Sequence, residues 1–455
     1  MDINPQIFRE YDIRGLCGSD LREDVVEQIG KGFTSYLRGK KKHNCVVVGR
    51  DGRLTSKAYA HAVIDGITSC GINVIDIGEV PTPLTYYALF TQPVDGGIMI
   101  TGSHNPKDYN GMKVAVGKTT IHGKEIQKLA KLVYAGRFPR ARGPVTITRM
   151  DLVPAYTRRI LRGVALKRKL KVVLDAGNGV GGRVAVPLYE QLGCEVIPLY
   201  CDVDGNFPNH HPDPTLPASL RKLTATVKRA KADCGISFDG DADRLGGVDD
   251  TGEILWGDKL LILFARSVLR DKPGAAVIGE VKCSRTLFDD IAKHGGKPIM
   301  WRTGHSLIKA AMKQFHAQVA GEMSGHMFFK HRWYGFDDAI YSGARLLEFL
   351  ASGRKSLHEH LAGVPKTYVT PEMRIKTSEE RKFAIVAEAT RYFQKELGLE
   401  VNTIDGARIE FPDGWGLLRA SNTSPMLVMR CEADSPRRLK EIRALVEAKV
   451  LELNR

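Results

Sequence analysis

The chain has 455 residues, of which 43% are hydrophobic and 26% charged, and its formal net charge is +15. That length suits three or four domains, and the composition is that of an ordinary globular protein rather than a disordered or fibrous one. There is no run of about 18 or more apolar residues of the kind that spans a membrane, and the two dense basic runs, Gly39-Lys40-Lys41-Lys42 and Lys167-Arg168-Lys169, carry no aromatics for stacking on bases.

Partners in the form of membrane or nucleic acid are therefore not expected, and a basic balance instead favours small anions drawn into a cleft. The opening residues, MDINPQIFREYDIRG, lack a basic-then-apolar leader, so the expected compartment is the cytoplasm. The eight cysteines (Cys17, Cys45, Cys70, Cys194, Cys201, Cys234, Cys283 and Cys431) include no C-x-x-C pair. Several lie in strand-like runs, which fits reduced, mostly buried thiols better than disulfides or zinc.

Up to about residue 365, short β-rich runs alternate with helical stretches. The runs are Val46-Val47-Val48, Ile98-Met99-Ile100, Val172-Val173-Leu174, Gly235-Ile236-Ser237-Phe238 and Ala276-Val277-Ile278. Each leads into a polar or Gly-rich loop and then a helix candidate. That order predicts βαβ units in mostly parallel sheets covered on both faces, with ligands at the carboxyl ends of the strands. The pattern recurs in three blocks. Turn formers or charges without apolar periodicity mark breaks near Gly143-Pro144, Asp249-Asp250-Thr251-Gly252 and Gly363-Val364-Pro365. The expected domains are residues 1–146, 147–250, 251–365 and 366–455. The last has helix candidates at 377–397 and 435–453 around strands at Arg408–Phe411, Gly416–Leu418 and Met426–Cys431, an α+β pattern.

The first polar loop, Thr101-Gly102-Ser103-His104-Asn105-Pro106, follows the strand Gly97–Ile100. It offers a hydroxyl nucleophile beside an imidazole, although Asn-Pro also builds plain turns. Downstream, Lys113 could serve as an acid–base group if desolvation lowers its pKa. Asp175-Ala176-Gly177-Asn178-Gly179-Val180-Gly181-Gly182 has neither dinucleotide nor Walker spacing, and reads as a tight strand-to-helix turn at an interdomain position without a ligand.

Asp239-Gly240-Asp241-Ala242-Asp243-Arg244 ends the strand Gly235–Phe238. Three carboxylates at alternate positions can converge on one hard cation such as Mg²⁺, and crowding them without one is costly. Arg244 adds a fork suited to phosphate. Thr303-Gly304-His305-Ser306 follows a strand at Pro298–Arg302. Gly321-Glu322-Met323-Ser324-Gly325-His326 offers groups that hydrogen-bond sugar hydroxyls or phosphate. Arg419-Ala420-Ser421-Asn422-Thr423-Ser424-Pro425 joins two strands and combines a bidentate cation with a run of small polar residues, the makings of an anion nest.

Together, TGSHNP at 101–106, DGDADR at 239–244, GEMSGH at 321–326 and RASNTSP at 419–425 resemble, in order, the loops of the α-D-phosphohexomutase superfamily, and more narrowly its bacterial phosphomannomutase/phosphoglucomutase group. Tyr11-Asp12-Ile13-Arg14-Gly15, the segment 204–212 and Lys282-Cys283-Ser284 extend the likeness over nearly the whole chain. The resemblance implies three similar mixed α/β domains plus a mobile C-terminal α+β domain around a central active-site cleft. It implies interconversion of mannose 1-/6-phosphate and of glucose 1-/6-phosphate through a phosphoserine, Mg²⁺ and glucose 1,6-bisphosphate. Ser103 would carry the phosphoryl group. Asp239, Asp241 and Asp243 would bind the metal with a phosphoserine oxygen, and Arg244 would contact that phosphate. Glu322, Ser324 and His326 would hold the sugar, and Arg419, Ser421, Asn422 and Thr423 the other phosphate. Tyr11, Arg14, His104, Lys113, Lys282, Gly304 and His305 match further active-site positions. Many members have glycine where this chain has Ala242, which excludes only backbone conformations that need glycine.

Phosphoglucosamine mutase is the nearest alternative. A sugar-phosphate phosphatase or a non-catalytic anion-binding protein are alternatives of other classes. The expected partners are hexose phosphates; the oligomeric state is left open, and a monomer is compatible with the sequence.

Overall fold

The computed structural model describes residues 3–40, 42–421 and 425–454. They form four sheets, taken in chain order. The first runs Ile13–Leu16, Tyr109–Val116, Gly96–Ile100, Cys45–Arg50, Asn73–Glu79 and Ile147–Arg149, with Thr119–Thr120 added to Tyr109–Val116. Its middle is parallel, Cys45–Arg50 lying between Asn73–Glu79 and Gly96–Ile100. Tyr109–Val116 is antiparallel to both of its principal neighbours. The second sheet centres on the parallel pair Lys171–Asp175 and Cys234–Phe238, and the third on Ala276–Glu280 between Lys297–Trp301 and Val319–Gly321. In both, the strand that follows the key loop returns antiparallel. The sheets are thus mixed, with parallel centres, where βαβ reading alone suggests mostly parallel order. A strand that returns directly from a tight loop must run antiparallel.

Two short strands lie just past expected breaks. Ile147–Arg149 is the edge of the first sheet, beyond the break after 146, and Ile254–Leu255 pairs with Leu245–Val248, beyond the break after 250. Both are short strands whose partners lie far away or across a turn, so local composition does not announce them.

The helices follow from their patterns. Glu23–Tyr36 buries Val25, Val26, Ile29 and Phe33 along one stripe and opens with Glu23 and Asp24, which suit a helix N-terminus. Pro436–Leu453 starts with a proline behind a capping Ser435 and buries Ile442, Val446 and Val450. The expected helix at 377–397 is shorter: Lys382–Arg391, widening into a π-helical turn at Tyr392–Glu396. Thr82–Thr91 buries Thr82 through Leu89 with no polar face, because it lies between layers.

One apolar core runs continuously from Val47 to Leu357 and joins the first three sheets. The fourth sheet, Tyr368–Val369, Met426–Ala433, Gly414–Ala420, Ala407–Phe411 and Val401–Asn402 with Met373–Lys376 alongside, has its own core between Ile385 and Val450. It meets the third domain through a small plug of Val281, Trp415 and Leu417 and through two arginines that cross in opposite directions. Arg408 donates to the carbonyls of Val281 (2.6 Å) and Cys283 (2.8 Å). Arg285 donates to those of Phe411 (2.5 Å), Pro412 (2.9 Å) and Gly414 (2.8 Å). A separate core behind a largely polar contact is the construction of a domain able to move as a unit. Among the described residues no helix is long and apolar enough to cross a membrane, and all eight cysteines are free.

Candidate active site

The polar loops sit at strand ends that converge between the domains. Ser103 follows Gly96–Ile100 and is buried, with a left-handed φ of 50°. A side chain is uncommon there, and such strain persists only where the surroundings fix it. They do. Arg53 is buried and donates to four carbonyls of the loop: Ser103 (2.8 Å), Asn105 (2.6 Å), Pro106 (2.7 Å) and Tyr109 (2.9 Å). Asp51 accepts from the Gly102 backbone N–H at 3.1 Å and pairs with Arg53. Arg14 bonds the Gly102 carbonyl, Asn105 and Asp12, so its guanidinium serves the same loop.

Ser103 Oγ donates to Asp239 Oδ2 at 2.8 Å and lies 3.1 Å from His104 Nδ1. Burial drives the His104 imidazole well below the ordinary histidine range, and Arg244 and Arg14 push the same way. His104 is therefore a neutral neighbour of the hydroxyl.

Asp239, Asp241 and Asp243 are fully buried, and each brings an oxygen within 4.8 Å of the others. Asp241 Oδ1 and Asp243 Oδ1 have no hydrogen-bond partner among the described residues. Two buried, unpartnered carboxylate oxygens facing a third acid, with a serine hydroxyl beside it, are the hard oxygen donors that Mg²⁺ selects, so the residues fit that ion. Burial, then Asp241 and Asp243, raise the Asp239 carboxyl well above the usual carboxylate range. Burial would raise Asp241 too, but Lys113 and Thr82 outweigh it and hold it low. Thr82 Oγ1 donates to Asp241 Oδ2 at 2.5 Å.

Two expectations are corrected here. Lys113 is buried, but its ammonium bonds Asp241 Oδ2 at 2.7 Å and Asp243 Oδ2. Desolvation lowers its pKa, yet the three carboxylates of the loop outweigh it and leave Lys113 above the ordinary lysine range. It is a fixed cation rather than a base made by desolvation. Ala242 adopts a φ of 57°, the very conformation that glycine favours. The chain carries there a left-handed alanine, with strain on the order of 1–2 kcal/mol.

From the acidic loop the site continues as one string of contacts. Leu245 N–H donates to the Gly325 carbonyl at 2.9 Å, and Arg244 Nε donates to His326 Nε2 at 3.1 Å. With Nε2 accepting, the proton of His326 sits on Nδ1, which faces Asp337 Oδ2 at 3.2 Å. His305 stacks on His326, the ring centroids 5.6 Å apart, and meets Tyr11 edge-on. Burial holds His305 well below the usual histidine range, helped by Lys309. Tyr11 Oη donates to the Thr303 carbonyl at 3.0 Å. Glu322 is buried and accepts from the Gly304 N–H at 2.5 Å. Burial, then Glu280, raise its pKa. Ser324 is half-buried in the same loop. Lys282 lies 3.5 Å from Glu280 and 3.7 Å from Glu372.

In the fourth domain, buried Arg419 pairs with Asp405 at 3.0 Å, and Asp405 also accepts from the Thr303 N–H. Ser421 is buried, its carbonyl accepting from Lys382 Nζ at 2.7 Å. Asn422 and Thr423 lie outside the described residues. The structure thus gathers the loops at 101–106, 239–244, 303–306 and 321–326 with Tyr11, Arg14 and Lys113, and puts Arg419 against the Thr303 loop through Asp405. Arg53, Asp51, Thr82, Asp337 and Asp405 were not singled out from the sequence. Only the first two carry a signal there: Asp51-Gly52-Arg53 is a polar run directly after a parallel strand, the position where such sheets place ligand groups.

Four family models match consecutive stretches: phosphoglucomutase/phosphomannomutase alpha/beta/alpha domain I at residues 5–140, domain II at 154–252, domain III at 256–368 and the C-terminal domain at 372–449. The chain is 48% identical over 441 residues to a phosphomannomutase/phosphoglucomutase of Pseudomonas aeruginosa, covering 96% of this chain and 94% of that protein. It is 46% identical over 453 residues to a phosphoglucomutase of Neisseria gonorrhoeae, covering 99% and 98%. A crystal structure of a phosphoglucomutase/phosphomannomutase family protein from Burkholderia thailandensis superposes with a TM-score of 0.93 at 44% identity, covering 99% and 98%. The Asp337, Thr82 and Asp51 contacts described above are features of this chain's own geometry.

Proposed function

This chain belongs to the phosphoglucomutase/phosphomannomutase family, and we propose that it interconverts the 1- and 6-phosphates of mannose and glucose by way of a phosphorylated Ser103. It is an isomerase of the phosphotransfer type. The observation that carries the mechanism is the 2.8 Å bond between Ser103 Oγ and Asp239 of the buried acidic triad, which sets the nucleophile beside a cation site.

In the first transfer the P–O bond to Ser103 breaks as a P–O bond to a sugar hydroxyl oxygen forms, and the hydroxyl proton leaves. The resulting 1,6-bisphosphate turns and returns its other phosphoryl group to Ser103. This second transfer is the reverse, a sugar O–P bond breaking as the bond to Ser103 Oγ forms and the freed sugar oxygen taking up a proton. Asp239, Asp241 and Asp243 would hold Mg²⁺, which would supply neutralisation of charge on the transferring phosphoryl oxygens. Lys113 holds two of those carboxylates in place. Arg53, Asp51 and Arg14 keep the Ser103 loop in its left-handed form, so little reorganisation is left for the reaction. His305, whose Nδ1 has no hydrogen-bond partner among the described residues, is the group proposed to take the hydroxyl proton. Glu322 and Ser324 bind sugar hydroxyls, His326 is oriented by Arg244 and Asp337, and Arg419 grips the distal phosphate with Ser421, Asn422 and Thr423. The separate core of the fourth domain suits a part that loosens while the bisphosphate turns. Eight free thiols suit a reducing cytoplasm.

The test is turnover of mannose, glucose and glucosamine 1-phosphates side by side, with inorganic phosphate measured. Isomerisation of both hexose phosphates without stoichiometric phosphate release supports the proposal. Phosphate release in place of isomerisation would make the protein a phosphatase, and superior turnover of the amino sugar would make it a phosphoglucosamine mutase.

A further inference from the structure

Asp405 sits in the turn before Ala407–Phe411, outside every motif of the sequence. Its Oδ2 meets two groups on two domains: it forms an ion pair with Arg419 Nη2 at 3.0 Å, in its own domain, and accepts from the backbone N–H of Thr303 at 3.1 Å, in the third. One residue earlier, the Ile404 carbonyl accepts from Arg302 Nε at 2.9 Å. Thr303 precedes Gly304, whose own N–H is taken by Glu322. One carboxylate oxygen therefore ties the arginine of the phosphate loop to the loop that carries the sugar contact.

The backbone fixes this distance. Pairing sets Ala407 opposite Leu418, and Gly406 passes so close that a Cβ there would meet Arg419 Cβ at 2.7 Å. Its φ of 94° also requires glycine. Asp405 thus cannot drift from Arg419 without opening the hairpin. Arg419 itself is buried, and its Nε has no hydrogen-bond partner among the described residues. A planar guanidinium held at one nitrogen keeps its remaining donors in a defined plane.

We propose that Asp405 is a positioning residue for the phosphate grip: it presets the plane of Arg419 and, through Thr303, makes that grip depend on the seating of the fourth domain against the third. This rests on the reading of Arg419 as the ligand of the distal phosphate. An arginine immobilised before the ligand arrives loses less freedom on binding. When the fourth domain swings away, Thr303 leaves Asp405, and the fork loosens as the cleft opens. Grip and closure then change together, which retains a bisphosphate while the cleft is shut. A bare carboxylate beside an anion site would act in the opposite sense, repelling phosphate, so the two roles differ in sign.

The experiment uses Asp405→Ala, Asp405→Asn, Arg419→Ala and the Asp405→Ala/Arg419→Ala double variant of the full chain. It measures kcat and KM for glucose 1-phosphate, the glucose 1,6-bisphosphate needed for full activity, and the thermal midpoint. Asp405→Ala is expected to raise KM about tenfold and to raise the bisphosphate requirement, with kcat changed less than about threefold and the fold intact. Asp405→Asn keeps an acceptor oxygen and should fall between, and it carries the test alone if the alanine variant does not fold. In the Arg419→Ala background, removing Asp405 should add nothing, because the effect runs through Arg419. If Arg419→Ala raises KM while both Asp405 variants keep or lower it, the positioning role is overturned and Asp405 merely repels. A full further rise in the double variant also overturns it. If Arg419→Ala itself leaves KM unchanged, the phosphate-grip reading falls and the proposal with it.

Discussion

Ser103 and Asp239 belong to different sheets, 136 positions apart, yet Ser103 Oγ donates to Asp239 Oδ2 at 2.8 Å. The Ser103 hydroxyl on the first domain is thereby registered against the acidic loop of the second, and the shared apolar core beneath keeps that register. The account of the protein turns on this contact, and its consequences can be measured.

Metal dependence is the first. Asp241→Asn removes a charge from a hard-cation site and half of the pairing of Lys113. The Mg²⁺ concentration for half-maximal activity should rise at least about tenfold. Exhaustive chelation of the wild-type protein should abolish turnover, and added Mg²⁺ should restore it. Full activity after chelation would leave the triad with a purely structural role.

Arg53 should show how much the shape of the Ser103 loop matters. Arg53→Lys keeps a charge for Asp51 but cannot reach four carbonyls. Loss of alignment should lower kcat by about 10–100-fold with little change in KM. A urea melt checks that the fold survives. A folded variant with unchanged kcat would mean that the loop holds its left-handed turn unaided.

The loops of this site were readable in the sequence because each follows a strand with a polar, Gly-containing run, and strand ends are where α/β sheets carry chemistry. What the residues do there was less readable. Lys113 looked like a group to be neutralised by burial, but its pKa depends on Asp241 and Asp243, which lie more than 120 positions away. Ala242 was expected only to exclude conformations that need glycine, since nothing local says that its φ is positive. Besides Asp51 and Arg419, Arg53 and Asp405 bond backbone carbonyls and an N–H, which have no residue identity to read. Similarly, Ile147–Arg149 is three exposed residues whose strand character comes from Asn73–Glu79 alone.

His331 gives a pH signature away from the chemistry. Burial lowers its pKa to about 4, and Arg345 and Arg332 add to this, with Lys272 acting in the same sense and Asp271 against it. The unfolded chain takes up this proton near pH 6.5, while the folded chain refuses it until about pH 4. Unfolding is therefore favoured as pH falls through that window, and stability contributed by the neutral ring is lost. Chemical denaturation at pH 7 and pH 5 should show a smaller loss for His331→Gln than for the wild-type protein. An equal loss in both would assign the pH dependence to other groups.

Substrate range follows from what Glu322 is able to read. It is proposed to accept from hydroxyls that glucose and mannose share, leaving C2 unread, and the sugar must bind in two orientations. The kcat/KM values for mannose and glucose 1-phosphates should lie within roughly tenfold, about 1.4 kcal/mol. Glucosamine 1-phosphate should be poorer, because its ammonium meets a basic cleft. Glu322→Ala should impair both hexoses about equally. A preference above about a thousandfold for either, some 4 kcal/mol, would show that C2 is read.

The central claim is that Ser103 carries the phosphoryl group in transit. The most direct measurement is transfer of labelled phosphate from glucose 1,6-bisphosphate to the protein, followed by mass spectrometry of the labelled peptide, in the wild-type chain and in Ser103→Ala. The account predicts label on Ser103, its discharge to added glucose 1-phosphate, and no labelling with turnover lowered by several orders of magnitude in the variant. Label on another residue, or near wild-type turnover by Ser103→Ala, would contradict it.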